Sequence, residues 1–423
     1  MRLLYSALWW VGLPFVLLRL WRRGRKEPGY RRHIGERLGF YGQFRDRTVP
    51  PILWVHAVSV GETRAAQPLI EALLHAYPRH TVLLTHMTAT GRVTGRQLFA
   101  HHGERVVQSF FPYDTGWMCA RFLRHFKPRI SILMETEVWP NMVRQCRLHQ
   151  VPVVLANARL SARSLRRGQR FGAILLEAAA NIDCVAAQSE ADAERLRLFG
   201  ARSVHVTGSI KFDVEAPAEA VALGEQWRAG FGARPVLLCA STREGEEELI
   251  LDALAAIDHR AFLTIIVPRH PQRFDAVESL IRARGFAVQR RSAFAATPPA
   301  GDVQIVLGDS MGEMFAYYAA CDLAFIGGSL LPLGGQNLIE ACALGKPVLI
   351  GMHTFNFQTV SEDATASGAA MRVQSAGEML ACAAALLQNE DARRAMGTSA
   401  IAFARKYQGA TVRTMALLAP LIR

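Results

Sequence analysis

The stretch FIGGSLLPLGGQNLIEACALGKPVLIG, residues 325–351, is the part of the sequence that decides the fold. Its apolar beginning is typical of a buried strand, and this strand runs directly into the pair Gly327-Gly328. A second pair, Gly334-Gly335, precedes a segment with helical spacing, and another apolar strand follows that segment. Buried strands that alternate with helices are typical of a parallel α/β sheet.

The same stretch predicts a pocket for a nucleotide-like donor. Glycines let a ligand approach the backbone, and a helix start offers free N–H groups and a positive dipole end to a phosphate. Asn337 and Glu340 are three residues apart, so they share one face of the first turn. Because a carboxylate repels phosphate, Glu340 is better suited to sugar hydroxyls. The alternative is that Asn337 and Glu340 only form a capping box.

Composition limits the class of protein. The chain has 423 residues, half of them hydrophobic, which is enough for two globular domains. Its formal net charge of +13 indicates an anionic partner, such as a membrane, a phosphorylated ligand or a nucleic acid. The seven cysteines include no C-x-x-C pair, so neither a zinc site nor a disulfide framework is supported. The glycine pattern is not G-x-G-x-x-G, so a nicotinamide cofactor is not indicated.

The N-terminus predicts a membrane anchor. Residues 3–18 are mostly apolar, and a basic run follows them: Arg19, Arg22, Arg23, Arg25, Lys26, Arg31 and Arg32. A cleaved signal peptide has its charge before the apolar stretch instead. The length is at the lower limit for a spanning helix, and the positive-inside rule leaves everything after residue 20 in the cytoplasm. A helix that lies in the inner leaflet is the alternative.

Apolar strands alternate with helical stretches along the rest of the chain. The predicted strands are residues 52–58, 81–85, 129–134, 153–156, 184–187, 203–207, 235–239, 262–267, 303–307, 323–326 and 348–350. The pattern lapses between Ser209 and Trp227, which predicts a connection between domains. We therefore expect an α/β protein with two Rossmann-like domains that face each other across a cleft, and ligands beyond the carboxyl ends of the strands.

Carboxylates follow two of the predicted strands in the first half. Glu62 lies on the first helical turn after residues 52–58, where it can remove a proton from an acceptor hydroxyl, although Ser59-x-x-Glu62 also fits a capping box. Glu135 ends another strand, and a buried charge there needs a partner. Lys211 is the expected partner, with a surface ion pair as the alternative.

Two segments of the second half fit phosphate. Arg269 follows a strand and is flanked by Pro268, so its planar guanidinium is held on a stiff backbone. The segment GDSMGE, residues 308–313, follows another strand and offers the N–H groups of a helix start. Neither segment has a metal-ligand spacing, so no metal site is predicted.

Taken together, these segments resemble the 3-deoxy-D-manno-octulosonic acid (Kdo) transferases of lipopolysaccharide synthesis. The matching segments run in order over nearly the whole chain: RGRKEPGYRRHIGERLGFY, HAVSVGETRAAQPLI, LLTHMTATG, METEVWPN, NARLSARS, AAQSEADAERLRLFGA, VTGSIKFD, STREGEEELIL, VPRHPQRF, GDSMGEM and the opening stretch through GMHTFNF. The resemblance implies a GT-B fold with an N-terminal membrane-anchor helix. It also implies transfer of Kdo from CMP-Kdo to a lipid A precursor, lipid IVA, with inversion of the anomeric centre.

The resemblance also implies roles for single residues. Glu62 is expected to be the general base, and Glu135 and Lys211 are expected to stabilise the transition state. The residues expected to hold CMP are Pro268, Arg269, Met311, Gly312, Glu313, Asn337, Leu338, Ile339 and Glu340. Two departures from the family pattern, Gln336 and Cys342, put only the tuning of the donor loop in doubt.

The expected organisation is therefore an anchor with a basic segment at residues 1–32, an acceptor-binding domain at 33–213 and a CMP-Kdo-binding domain at 214–423. We expect the catalytic domains on the cytoplasmic side of the inner membrane, against its anionic surface, with no metal, no other cofactor and no nucleic acid. One alternative is a GT-B transferase that moves a UDP-sugar to a membrane lipid. A second alternative, suggested by the charge alone, is a non-enzymatic protein that binds anionic lipid or nucleic acid.

Overall fold

The computed structural model of the protein describes residues 2–25, 27–42, 50–170, 172–213, 216–257, 261–295 and 301–422. It divides the chain into two compact units, one formed by Met1–Asp213 with Tyr407–Arg423 and the other by Val214–Lys406. The chain passes from the first unit to the second after residue 213. The C-terminal segment differs from the expectation, because it belongs to the first unit.

The first unit contains a sheet of seven parallel strands. They are β1 Ile52–His56, β2 Thr81–His86, β3 Val106–Phe110, β4 Pro128–Met134, β5 Val153–Ala158, β6 Cys184–Ala187 and β7 Val204–Val206. Their order across the sheet is β3-β2-β1-β4-β5-β6-β7. The direction of strand addition thus reverses between β1 and β4, which is the topological switch point where open α/β sheets bind ligands.

Helices precede and follow the strands of this sheet. Those of the N-terminal part are α1 Arg2–Arg23, α2 Ile34–Arg37, α3 Val60–Ala65, α4 Gln67–Ala76, α5 Ala89–Leu98, α6 Gly116–Phe126, α7 Pro140–Leu148, α8 Ala162–Arg170, α9 Ala173–Ala180 and α10 Glu190–Leu198. Side chains that alternate along β1 enter different cores. Trp54 packs with Phe122 of α6, whereas Leu53 packs with Leu69 of α4. Both faces of the sheet are therefore buried, which explains why its strands read as continuous apolar runs.

Helix α1 packs along the first unit on one face only. Leu13 is buried there, and its cluster includes Trp9, Leu17 and Leu20 of the same helix. The opposite face is apolar and exposed, and its residues recur at helical spacing: Leu4, Leu8, Val11, Phe15 and Leu18. By length and composition, α1 is the one helix of the described residues that is long and apolar enough to cross a membrane.

The second unit contains another sheet of seven parallel strands. They are β8 Val236–Thr242, β9 Leu263–Pro268, β10 Val288–Arg290, β11 Ile305–Leu307, β12 Leu323–Ile326, β13 Val348–Ile350 and β14 Ala370–Arg372. Their order is β10-β11-β9-β8-β12-β13-β14, so the switch point lies between β8 and β12. The glycine-rich stretch of residues 325–351 starts at that point.

The remaining helices cover this second sheet or return to the first unit. They are α11 Ala218–Gly230, α12 Glu246–Ala255, α13 Phe274–Ala283, α14 Met314–Ala320, α15 Ile339–Ala343, α16 Gln358–Ala366, α17 Ala376–Gln388, α18 Glu390–Tyr407 and α19 Ala410–Leu418. Ala410 and Leu418 of α19 pack in the same cluster as Leu73 of α4. The carboxylate of Asp213 accepts the Gly409 N–H at 2.6 Å, so it fixes the start of this returning helix.

Candidate active site

The two predicted catalytic carboxylates follow the strands that flank the first switch point. Glu62 lies in the first turn of α3, directly after β1, and Glu135 follows β4. Strands β1 and β4 are hydrogen-bonded neighbours in parallel register. The topology therefore brings both side chains to the same edge of the sheet, although they are far apart in sequence.

Glu62 is held by the loop that precedes its own helix. The Val58 N–H donates to Glu62 Oε2 at 2.7 Å, and the Ser59 hydroxyl donates to Oε1 at 3.3 Å. Ser59 Oγ also accepts the Glu62 N–H, so this pair caps the helix while it fixes the carboxylate. Burial raises the pKa of Glu62, and the charge of Glu135 acts in the same direction. The N–H of Val58, the hydroxyl of Ser59 and the ammonium group of Lys211 lower it.

Glu135 is buried and compensated by two cations. Lys211 Nζ lies 2.5 Å from its Oε1, and Arg159 Nε donates to its Oε2 at 2.8 Å. Only 5% of the Glu135 side chain is exposed. Its backbone has a φ of 56°, in the left-handed region that a non-glycine residue rarely adopts. Strain of this kind is concentrated at functional sites, where it fixes the direction of a side chain.

A second buried polar residue positions Lys211. Lys211 lies in the short 3-10 turn Ile210–Phe212, and the Ile210 N–H donates to Asn157 Oδ1 at 3.1 Å. Asn157 is fully buried near the end of β5 and also has a left-handed φ of 53°. Neither Asn157 nor Arg159 is predicted as a site residue from the sequence, because each acts through a contact with a distant segment.

Glu137 is a third carboxylate of this region. Burial, followed by the charge of Glu62, raises its pKa to about 7; the charge of Glu135 adds to this increase. Its Oε2 accepts a hydrogen bond from Trp139 Nε1 at 2.9 Å, which acts in the opposite direction. In the sequence, its only signal is the second carboxylate of METEVWP, two residues after Glu135.

The predicted catalytic residues are thus close together in the first unit, and the nine residues predicted to hold CMP all belong to the second unit. Pro268 ends β9, and the Arg269 N–H donates to the Thr242 carbonyl at 2.9 Å. The Arg269 side chain is exposed. Burial lowers the pKa of His270, and the guanidinium groups of Arg243, Arg269 and Arg273 lower it further. This end of the second sheet therefore carries three arginines, of which Arg273 is paired with the buried Glu247 carboxylate at 2.7 Å.

The segment Met311–Glu313 precedes α14. Gly312 has a φ of 84°, a conformation that favours glycine, and Met311 is exposed. Glu313 is the residue before the helix, and Arg291 Nη2 donates to its Oε1 at 2.9 Å. The Glu313 carboxylate is thus already engaged within the unit.

The predicted helix around Asn337 is shorter than expected. Helix α15 begins at Ile339, and Asn337 precedes it, with its Oδ1 accepting the Ile339 N–H at 3.1 Å. Asn337 Nδ2 also donates to Glu340 Oε1 at 3.1 Å. The two side chains therefore contact each other as their spacing predicts, and Asn337 satisfies the helix start.

The first glycine pair has a different role from the one expected. The N–H groups of Gly328, Ser329 and Leu330 donate to the carboxylate of Glu246 at 2.6, 2.9 and 3.0 Å. Glu246 is fully buried in the first turn of α12. A Cβ on Gly327 would lie 2.6 Å from the Ser241 carbonyl oxygen, so this glycine allows two strand ends to approach. These backbone donors therefore serve an internal carboxylate, which a sequence pattern alone does not reveal.

Among the described residues, one group of side chains could hold a metal ion. It consists of Glu71, His101 and His102, whose ligand atoms lie within 4.8 Å of one another. None of the predicted catalytic or CMP-binding residues belongs to it.

The fold is shared with other enzymes of known structure. A UDP-GlcNAc 2-epimerase from Neisseria meningitidis, bound to UDP-GlcNAc, is 16% identical and matches with a TM-score of 0.58 over 87% of this chain and all of its own. A glycosyltransferase from Rickettsia africae is 13% identical, with a TM-score of 0.59 over 89% of this chain and 99% of its own. These likenesses and the two parallel sheets confirm the expected GT-B fold class.

Sequence relatives identify the family. Residues 32–214 match the family described as 3-deoxy-D-manno-octulosonic-acid transferase. A 3-deoxy-D-manno-octulosonic acid transferase from Bordetella pertussis is 46% identical over 95% of both chains. One from Haemophilus influenzae is 35% identical over 99% of this chain and 98% of its own. Identity at this level over almost the full length shows that the chain belongs to the 3-deoxy-D-manno-octulosonic acid (Kdo) transferase family of glycosyltransferases.

Proposed function

We propose that this chain transfers Kdo from CMP-Kdo to a hydroxyl group of a lipid A precursor, with inversion at the anomeric carbon. Family membership supports the donor sugar. The observation that supports the mechanism is the arrangement of Glu62, Glu135 and Lys211, in which the half-buried Glu62 carboxylate lies next to a carboxylate whose charge is compensated. These are the groups that a direct displacement at a sugar needs.

Glu62 acts as the general base. Burial raises the pKa of Glu62, which makes its ionised form a stronger base for a sugar hydroxyl than an exposed glutamate. As the hydroxyl oxygen attacks the anomeric carbon, its proton passes to the Glu62 carboxylate. The bond between the anomeric carbon and the phosphate oxygen breaks, and CMP leaves with the electron pair. Attack on the face opposite to the leaving group gives inversion.

Glu135 and Lys211 stabilise the transition state. The anomeric carbon becomes electron-poor during displacement, so a fixed carboxylate nearby is favourable. Lys211 and Arg159 hold the Glu135 carboxylate in one position, which removes the cost of reorganising it during the reaction.

The second unit binds the CMP part of the donor. The positive charge of Arg243 and Arg269 near His270 supports recognition of a phosphate at the end of β9. Asn337 and Glu340 offer polar groups for the ribose or the base. CMP is a good leaving group, so we propose that these cationic groups replace a metal ion and that no other cofactor takes part.

Helix α1 lies on the membrane surface instead of crossing it. Its packed face contacts the folded unit from Tyr5, which donates to Asp114 at 2.9 Å, to Leu20 in the cluster with Tyr113 and Met118. A helix that crosses a bilayer has no such contacts along its whole length with a water-soluble domain. The exposed stripe that includes Leu8 and Phe15 is instead suited to burial in one leaflet.

The basic residues in the last turns of α1 and directly after it support the choice of membrane face. The exposed arginines of this region are Arg19, Arg22, Arg23, Arg25, Arg31 and Arg32. Clusters of this kind bind the anionic cytoplasmic leaflet and hold an enzyme next to its lipid substrate. We therefore place the protein on the cytoplasmic side of the inner membrane, where a phosphorylated glycolipid acceptor can reach it.

The reaction is tested directly with a defined acceptor. Purified protein in detergent is incubated with CMP-Kdo and the tetra-acyl disaccharide 1,4′-bisphosphate, and the lipid product is analysed by mass spectrometry. A Kdo-bearing lipid together with released CMP is the expected result, and its mass gives the number of Kdo units. Absence of product from folded protein contradicts the proposal. Stronger competition by UDP than by CMP for the donor site indicates a UDP-sugar instead.

A further inference from the structure

Trp139 contacts both the catalytic region and the N-terminal helix. Its indole Nε1 donates to Glu137 Oε2 at 2.9 Å. The centre of its ring system lies 6.5 Å from that of Trp9 in α1 and 5.7 Å from that of Phe111, which packs with Trp54 of β1. One side chain thus connects a carboxylate next to Glu62 with the helix that we place on the membrane.

The beginning of α1 is fixed by hydrogen bonds to the same region. The Tyr5 hydroxyl donates to Asp114 Oδ2 at 2.9 Å, and Asn141 Nδ2 donates to Ser6 Oγ at 3.2 Å. Asp114 is fully buried and also accepts the N–H groups of Asn141 and Met142 at 3.0 and 2.8 Å. These two residues are in the first turn of α7, directly after Trp139. The carboxylate that binds α1 therefore also fixes the segment that carries Trp139.

The hydrogen bond from Trp139 to Glu137 lies among other charged groups. Glu62 and Glu135 are the carboxylates that face Glu137, and the cations Lys211 and Arg159 are paired with Glu135. The indole of Trp139 is the hydrogen-bond donor that stabilises the ionised form of Glu137. The repulsion between two adjacent carboxylates is reciprocal, so a Glu137 that keeps its proton favours the ionised form of Glu62.

We propose that Trp139 is a positioning residue for the catalytic carboxylates, and that Trp9 holds it in place, so that the docked helix α1 is part of the acceptor site as well as the membrane attachment. This inference rests on the proposed role of Glu62 as the base. Its consequence is that undocking α1 changes the protonation of the site even where no membrane is present.

The test is the pH dependence of kcat/KM with detergent-dispersed acceptor, since attachment to lipid does not limit the rate there. Activity is expected to rise with pH as Glu62 ionises. Glu137→Gln removes one negative charge next to Glu62, so the acid limb moves to lower pH by about one unit. Trp139→Phe removes the donor to ionised Glu137, so Glu137 keeps its proton to higher pH and the acid limb of Glu62 moves in the same direction as in Glu137→Gln, by less than about one unit. Titrations of the substrates are common to all variants and cancel in the comparison.

Variants of α1 test its part in the site. Trp9→Ala and Tyr5→Phe are expected to move the acid limb in the same direction as Trp139→Phe, and Trp9→Phe, which keeps a ring, restores most of the wild-type profile. Trp117→Ala is the matched control. Trp117 is an exposed tryptophan of α6 in the same unit, and its ring contacts Phe40 and Arg121 instead of these residues. Thermal unfolding curves identify variants that no longer fold.

Two results overturn the proposal. One is a Trp139→Phe protein that loses activity with an unmoved acid limb, since this is the effect of a purely structural residue. The other is a folded Trp9→Ala protein with the wild-type profile, which would separate α1 from the acceptor site. Failure of the proposed function itself is distinguishable, because the wild-type protein then forms no Kdo-bearing lipid at any pH.

Discussion

Lys211 Nζ lies 2.5 Å from Glu135 Oε1, and this ion pair joins the end of β4 to the turn Ile210–Phe212. The two partners differ in their exposure to solvent: 5% of the Glu135 side chain is exposed, against 36% of Lys211. The carboxylate therefore depends on Lys211 and Arg159 for compensation of its buried charge. A pair of this kind is costly to break from one side and much less costly to remove as a whole.

Replacement of Lys211 by methionine is expected to destabilise the first unit by about 1–3 kcal/mol, because a buried carboxylate is left with one cation. The double variant Glu135→Gln/Lys211→Met is expected to lose less than the sum of the single variants. Urea unfolding measures the free energies. Lys406→Met is the control, since Lys406 and Asp363 form an exposed pair at 3.8 Å. If the Lys211 variant is as stable as this control, the ion pair does not contribute to the stability of the folded protein.

Substitution of Glu62 by glutamine is expected to lower kcat by about 10²–10⁴-fold, because the amide cannot accept the hydroxyl proton. Binding of CMP is expected to stay unchanged, since the predicted CMP residues belong to the other unit. Kinetics with saturating acceptor and calorimetric titration with CMP separate the two effects. Glu104→Gln, at an exposed glutamate of the same unit, is the control. Full turnover by the Glu62 variant would remove Glu62 as the base.

The sheets of both units could be predicted well, and the missed strands share one physical cause. Strand β10 and strand β14 each have three residues and lie at the edges of the second sheet. Strand β3 is an edge strand of the first sheet. An edge strand has a neighbour on one side only, so its sequence VVQSF need not be continuously apolar. The central strands are buried on both faces, and their apolar runs identify them.

The candidate site could be predicted only where residues follow strands. Glu62 and Glu135 are of this kind, because the carboxyl ends of parallel strands meet at one edge. Asn157 and Trp139 act through contacts with Ile210 and Trp9, which are distant in sequence. Such contacts depend on the packing of whole elements, and no local pattern encodes them.

The stability of Glu137→Gln is expected to depend on pH in a defined direction. Glu137 has a pKa of about 7 in the folded protein against an ordinary value of 4.5. A group whose pKa is raised by folding contributes stability below pH 4.5, and this contribution is lost as the pH rises through about 7. Over this pH window the free energy of unfolding of the wild-type protein therefore falls by about 1–3 kcal/mol, and that of the glutamine variant does not show this decrease.

The measurement is a series of urea unfolding curves for both proteins between pH 4.5 and 8. The free energy of unfolding of the variant is expected to increase relative to that of the wild type as the pH rises. Glu104→Gln is again the exposed control. A constant difference across the series would mean that Glu137 does not titrate in this range.

Phe15→Ser is expected to weaken binding to vesicles that contain phosphatidylglycerol. Phe15 is 72% exposed on the outer face of α1. Removal of a phenylalanine that is buried in lipid costs about 1.5–3 kcal/mol of binding free energy, which lowers the affinity roughly tenfold or more. Vesicle flotation measures the bound fraction. Val412→Ser removes an equally exposed apolar side chain from α19 of the same unit and is expected to bind like the wild type. Equal binding by both variants would exclude this face as the membrane contact.

Glu246→Gln is expected to disturb the glycine-rich loop of the second unit. The Glu246 carboxylate accepts four backbone N–H groups, those of Arg243, Gly328, Ser329 and Leu330. An amide group can accept at its oxygen only, so at least one buried donor loses its partner, at a cost of about 1–3 kcal/mol. Urea unfolding and calorimetric titration with CMP measure stability and donor binding. Glu244→Gln is the neighbouring control. If the proposed CMP site at Asn337 and Glu340 depends on this loop, CMP affinity falls in the Glu246 variant and not in the control. Unchanged CMP affinity in a destabilised Glu246 variant would show that CMP binding does not depend on the loop.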